Sequence, residues 1–167
     1  PSSGSTFPIG TTGVSSTATD PGGNTGSCSF TVTVLGSRGV MRNVLAELRA
    51  LDGKRSDRHE RDRLDEAIRH LAEALKADRW IDETHITSRH GEKVFDEARH
   101  AVESLPEILQ GFIDRIVRAN RELAFAAIQD ATHVRHGQRE LDKAIQELGR
   151  GDEAAGRGKA EKAIERY

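Results

Sequence analysis

The sequence predicts a mainly α protein, an antiparallel helical bundle of about five helices preceded by a β-hairpin. Three observations predict it. Residues 1–36 carry no lysine or arginine and one charged side chain, Asp20, whereas residues 37–167 are dense with charge. The hydrophobic period changes at the same place, from two to between three and four. A turn sequence, Asp20-Pro21-Gly22-Gly23-Asn24, divides the uncharged stretch in two.

Residues 11–35 read as strands. Cys28, Phe30, Val32 and Val34 point one way, and Ser29, Thr31 and Thr33 point the other. Val14, Ser16 and Ala18 form a weaker alternating set upstream. Between them, proline presets φ, the glycines permit φ > 0, and Asp20 and Asn24 bond their own backbone. Pairing Val14–Thr19 against Thr25–Val34 places Ser16 opposite Cys28. Such a hairpin is marginal alone, and nothing in the segment covers its apolar face.

The junction is expected at Gly36-Ser37-Arg38-Gly39, separating a unit 1–36 from a unit 37–167. Met41, Val44, Leu45, Leu48 and Leu51 predict a first helix ending near Gly53. Ser56 or Asp57 caps a second, with Leu64, Ala67, Ile68, Leu71, Ala74 and Leu75 inward. Residues 78–86 read as a loop. Ser88 is expected to cap a third helix carrying Val94, Phe95, Ala98, Ala101, Val102 and Leu105. Pro106 either breaks the chain or sits in the first turn of the next helix with Ser104 as cap. That fourth helix is long, with a stripe from Leu109 through Ile116 and Leu123 to about Ala131. A fifth runs from roughly Gln138 to Leu148, glycines punctuate residues 149–158, and a short last helix covers Ala160 to Tyr167.

Composition narrows the function classes. A net charge of −2 gives no global case for nucleic acid or an anionic membrane. No apolar run approaches the roughly 18–20 residues that span a bilayer. One cysteine rules out an internal disulfide framework.

The expected complement of catalytic, cofactor-binding and metal-ligating residues is none. His133 and His136, three apart, have zinc-like spacing, but Arg135 between them and Gly137 after them favour a solvated turn. His59, His70, His85, His90 and His100 lie among charges and read as surface residues. Asp62, Asp65, Glu66 and Glu73 alternate with Arg58, Arg61, Arg63 and Arg69 as helix-surface ion pairs. The turn at Asp20 has one carboxylate, too few for a tight calcium site. Cys28, sharing a strand face with Phe30 and Val32, is expected to be a buried small hydrophobe rather than a nucleophile. Trp80 is expected to fold down and plug the end of the bundle. The basic run from Lys54 to Arg61 is interleaved with acids, which removes it as a nucleic-acid patch.

The order Phe7-Pro8-Ile9-Gly10-Thr11-Thr12, then Thr17-Ala18-Thr19-Asp20, then Gly23-Asn24-Thr25 and Ser27-Cys28-Ser29-Phe30-Thr31-Val32-Thr33-Val34 resembles the C-terminal half of a HYR (hyalin repeat) domain, an immunoglobulin-like sandwich. The resemblance implies that the hairpin belongs to an incomplete sandwich. In that family a cysteine commonly stands where Ser16 does, so the cross-strand disulfide is impossible within this chain. Arg79-Trp80, Lys93 to Glu97, and Gly151-Asp152-Glu153-Ala154 with Lys162 to Tyr167 resemble a helical module that follows such repeats in secreted or surface-attached prokaryotic proteins. The last stretch also resembles a tetratricopeptide-style turn, where glycine lets helices approach and a terminal Tyr packs.

The resemblance implies a non-enzymatic, extracellular or cell-surface structural or adhesive segment of a modular protein. Three explanations stand for residues 1–36: a fragment whose remaining strands lie upstream, a segment completed by strands of a neighbour, or a disordered one. The cut through the last helix leads to the expectation that both ends are incomplete. Completion by a neighbour means self-association or a protein partner at the unpaired β edge, extending to a filament if no symmetry closes it. The alternatives are a helical protein-binding module, or an accessory domain of a larger secreted hydrolase.

Overall fold

The computed structural model describes residues 4–52, 57–132 and 137–167. The chain forms two compact units, Pro1–Gly36 and Ser37–Tyr167.

The first unit is a hairpin. β1 (Gly10–Thr19) pairs antiparallel with β2 (Thr25–Val34), and Ser16 stands opposite Cys28. β1 starts four residues before Val14, so the ladder runs from Gly10↔Val34 to Thr19↔Thr25. The turn closes as its residues dictate. Gly23 N–H donates to Asp20 O (3.0 Å), and Asp20 N–H donates to Asn24 O (3.0 Å). Gly23 has φ +86°, a left-handed conformation that glycine adopts without steric cost. Both carboxylate oxygens of Asp20 are engaged by Asn24, one by its backbone N–H and one by its side-chain amide, each at 2.8 Å. The Asn24 amide is the chief cause of an Asp20 carboxyl held below its ordinary range.

The second unit contains six α-helices among the described residues: α1 (Ser37–Asp52), α2 (Arg58–Ala74), α3 (Glu92–Ser104), α4 (Gln110–Ala131), α5 (Gln138–Gly156) and α6 (Ala160–Arg166). α1 begins inside the stretch read as a junction. α2 packs along α3, α1 along α4, and α6 against α3 and α5. The core is aliphatic, as the scarcity of aromatics requires. Met41, Val44, Leu48, Leu64, Leu71, Val94, Ile116 and Leu123 are all but fully buried. Of the two proposed caps for α2, Asp57 accepts from Glu60 N–H at 2.9 Å, while Ser56 lies outside the described residues. Trp80 plugs the core with only 5% of its surface exposed, and its indole N–H donates to Ala74 O, a carbonyl at the α2 C-terminus (2.9 Å).

Two boundaries differ from expectation, and at Pro106 one of two readings holds. Ser88 does not cap α3, which starts at Glu92. The preceding residues form a turn closed by Gly91 N–H to Thr87 O (2.8 Å). A Cβ at Gly91 would stand 2.5 Å from that oxygen and 2.8 Å from Ile86 Cδ1, so the close approach selects glycine. Pro106 breaks the chain rather than opening α4. A single 3₁₀ turn, Glu107–Leu109, intervenes. Arg63 of α2 donates to Ser104 O (3.0 Å) and Leu105 O (3.1 Å), satisfying carbonyls that the break leaves free. α5 does not stop at Leu148 but runs through Gly149 and Gly151 to Gly156. Its stop is Gly158, with φ +71°. Gly158 N–H bonds Ala155 O and Lys159 N–H bonds Ala154 O, each at 2.9 Å.

Candidate functional site

The hairpin offers the surface most in need of a partner. Gly10, Thr12, Val14 and Ser16 on β1 share one face with Val34, Val32, Phe30 and Cys28 on β2. Phe30 is 55% exposed, and Ile9 and Leu35 beside the strands are exposed as well. Cys28 is exposed too. The expectation that it is buried fails because the unit supplies no second layer to cover its face. Fully burying a Phe side chain is worth about 1.5–3 kcal/mol, so this face gains from any apolar layer laid upon it. The opposite face is polar, with the hydroxyls of Thr11 and Thr33 hydrogen-bonded at 3.1 Å.

The sheet has two strands, so each has one outer edge without a β partner among the described residues. Such edges accept an added strand through backbone hydrogen bonds, with side chains alternating between the new layers.

The helical unit holds two further features. Between α4 and α5 lies an open groove of about 550 Å³, with Ala124, Ala127, Ile128, Leu141, Ala144 and Leu148 among its walls. Gln138, Glu140, Glu147 and Arg166 give it a polar component. At its end, Tyr167 lies against Gly151. The Tyr167 hydroxyl bonds Asp152 Oδ1 (3.1 Å), which also receives Arg121 Nε (2.8 Å). Burial first, and then the Asp152 charge, push the Tyr167 phenol up to about 12.

The other feature is a histidine–carboxylate group on α2 and α3. His70, read from the sequence as a surface residue, is half-buried, with Nδ1 2.7 Å from Glu97 Oε2. His100 stacks beside it at 5.1 Å between ring centroids. Sequence spacing missed this group, because its members lie on separate helices about thirty residues apart. Two further histidines pair with acids. His85 meets Asp82 (2.7 Å) and Asp130 (3.4 Å), and His90 meets Asp78 (3.5 Å). Asp82 is held at about 2, chiefly by the Thr84 backbone N–H. His59 lines the same shallow pocket as His70 and His100, and His133 and His136 lie outside the described residues.

Comparison with known proteins bears on the first unit. The HYR domain family matches residues 1–34 of the 167. No curated protein and no solved structure matches the chain. The match covers the hairpin and says nothing of the helical unit. HYR domains are typically extracellular. No helix among the described residues is long and apolar enough to cross a membrane.

Proposed function

We propose that the chain is a structural, non-catalytic segment of an extracellular or cell-surface adhesion-type protein, and that its hairpin works by taking on further β-strands. The observation that carries this reading is the HYR match over a hairpin whose apolar face, centred on Phe30, is open and whose outer edges have no β partner among the described residues. Strands added at an edge complete the backbone ladder, and a second layer of strands laid on the face covers Phe30, Val32 and Val34. In the specific version the strands come from a neighbouring copy, which makes the segment self-associating. The helical unit then serves as the module that follows the repeat.

Light scattering across a concentration series tests the version with a neighbour. The expected result is a mass that rises with concentration in the natural chain and stays monomeric in Phe30→Ser. A natural chain that is monomeric throughout overturns it and leaves completion by strands of the same polypeptide.

A second reading, the helical protein-binding module, is favoured by the open groove between α4 and α5, whose apolar walls include Ile128, Leu141 and Leu148. Substituting Ile128 and Leu141 by serine would abolish capture of a partner under this reading. It would leave self-association through the hairpin unchanged.

A further inference from the structure

We propose that His70, Glu97 and His100 form a binding site for a divalent transition-metal ion of the zinc class, clamping α2 to α3. Each of the three offers one ligand atom, and these atoms all lie within 4.8 Å of one another. Two imidazoles and one carboxylate are a donor set that zinc accepts with an open fourth position. Glu97 and His100 stand one turn apart on α3, and His70 faces them from α2. Metal–ligand bonds of about 2.0–2.2 Å put ligand atoms roughly 3.3 Å apart. Ring rotations on the order of an ångström therefore close the site without moving either helix.

The hydrogen bonds fix which atoms are available. A guanidinium can only donate. Arg69 Nη2 lies 3.3 Å from His70 Nε2, and Arg99 Nη2 lies 3.1 Å from His100 Nε2, so both Nε2 atoms accept and carry no proton. His70 Nδ1–H accordingly donates to Glu97. An ion entering between Nδ1 and Oε2 takes the Nδ1 lone pair, so the proton moves to Nε2 and the Arg69 guanidinium, 3.3 Å away and paired with Glu66, gives up its contact there. On Nε2 it faces Glu66 Oε1, 4.0 Å away, a carboxylate that a side-chain rotation brings within reach to orient the ligating imidazole. The two guanidiniums would repel a cation if left bare. Arg69 is paired with Glu66 at 3.4 Å and Arg99 with Glu103, which reduces that penalty. His59 and Arg63 complete the rim.

Zinc chloride titrated into the whole untagged chain, in competition with a chromogenic chelator, tests the site. The expected result is one ion per chain, with affinity falling at least about tenfold in His70→Ala and in His100→Ala and unchanged in a His133→Ala/His136→Ala variant. Helical circular dichroism checks that each variant folds. Glu97→Gln, which preserves volume, must also lose affinity. Zinc must raise the unfolding midpoint of the natural chain and not of Glu97→Gln. Absence of binding, binding that survives in Glu97→Gln, or binding that disappears with His133 and His136 overturns the proposal.

Discussion

Gly149 and Gly151 stand two residues apart in α5, and alanine should stabilise at the first but not at the second. At Gly149 the residue is exposed, and an added Cβ meets nothing within 4 Å. Alanine there gains the helix propensity that glycine lacks, about 0.8–1.0 kcal/mol. Gly151 is buried, and its Cβ would lie 2.6 Å from Tyr167 Cδ1 and 3.1 Å from Cζ. Carbon atoms pack at about 3.5–4.0 Å, so the ring must retreat by roughly an ångström. It is held from behind by the Asp152 hydrogen bond and by the burial of Ala163 and Ile164 on α6. Overpacking of this kind costs about 1–3 kcal/mol, which cancels or exceeds the propensity gain. Gly151→Ala should therefore melt below Gly149→Ala by roughly 2–12 °C, at about 2–4 °C per kcal/mol. Thermal unfolding followed by helical circular dichroism measures both. If Gly151→Ala stabilises as much as Gly149→Ala, the ring does not close the α5–α6 corner, and the packing described for it is wrong.

Other expectations rest on single residues. Tyr167 is the only tyrosine, so a phenolate absorbance titration reads it alone. Its value, raised from 10.0 to about 12, means the fold favours the neutral ring. That contribution is complete below about 10 and is lost as pH climbs through about 12, so the folded chain should titrate later than the urea-unfolded one. Trp80→Phe removes the donor to Ala74 O and should cost about 1–3 kcal/mol in urea unfolding. No loss would mean that carbonyl finds another partner. Asn120 is fully buried, with Nδ2 bonded to Ile116 O (2.8 Å) and Oδ1 unpartnered among the described residues. Asn120→Leu should raise stability by about 1–2 kcal/mol, and a fall would show that a buried water serves Oδ1.

The features legible in the sequence were local. The alternation from Cys28 to Val34 and the Asp20–Asn24 turn set the register, down to Ser16 opposite Cys28. The aliphatic spacing of Leu64, Leu71, Ile116 and Leu123 identified the buried faces of α2 and α4. The tetratricopeptide-style resemblance implied a glycine that lets helices approach and a terminal Tyr that packs, and in the structure Tyr167 packs against Gly151. The misread boundaries depend on contacts made elsewhere. Ser88 has the chemistry of a cap, but Ile86 and the Thr87 carbonyl crowd Gly91 and delay α3. Gly149 and Gly151 have the chemistry of a stop, but α5 continues until Gly158 reverses φ. His70, Glu97 and His100 meet only because α2 packs on α3, and no spacing along the chain encodes that. Cys28 was placed on the correct face, and its burial depends on a layer that the hairpin does not contain.

Amide hydrogen exchange on residues 10–34, read at low and at high protein concentration, tests strand addition most directly. Completion by a neighbouring copy predicts fast exchange at the outer-edge amides when dilute. Protection should then spread across both strands as the chain associates, while the amides of α2, α3 and α4 stay protected throughout. Outer-edge amides that exchange freely at every concentration, beside a protected helical unit, would contradict it.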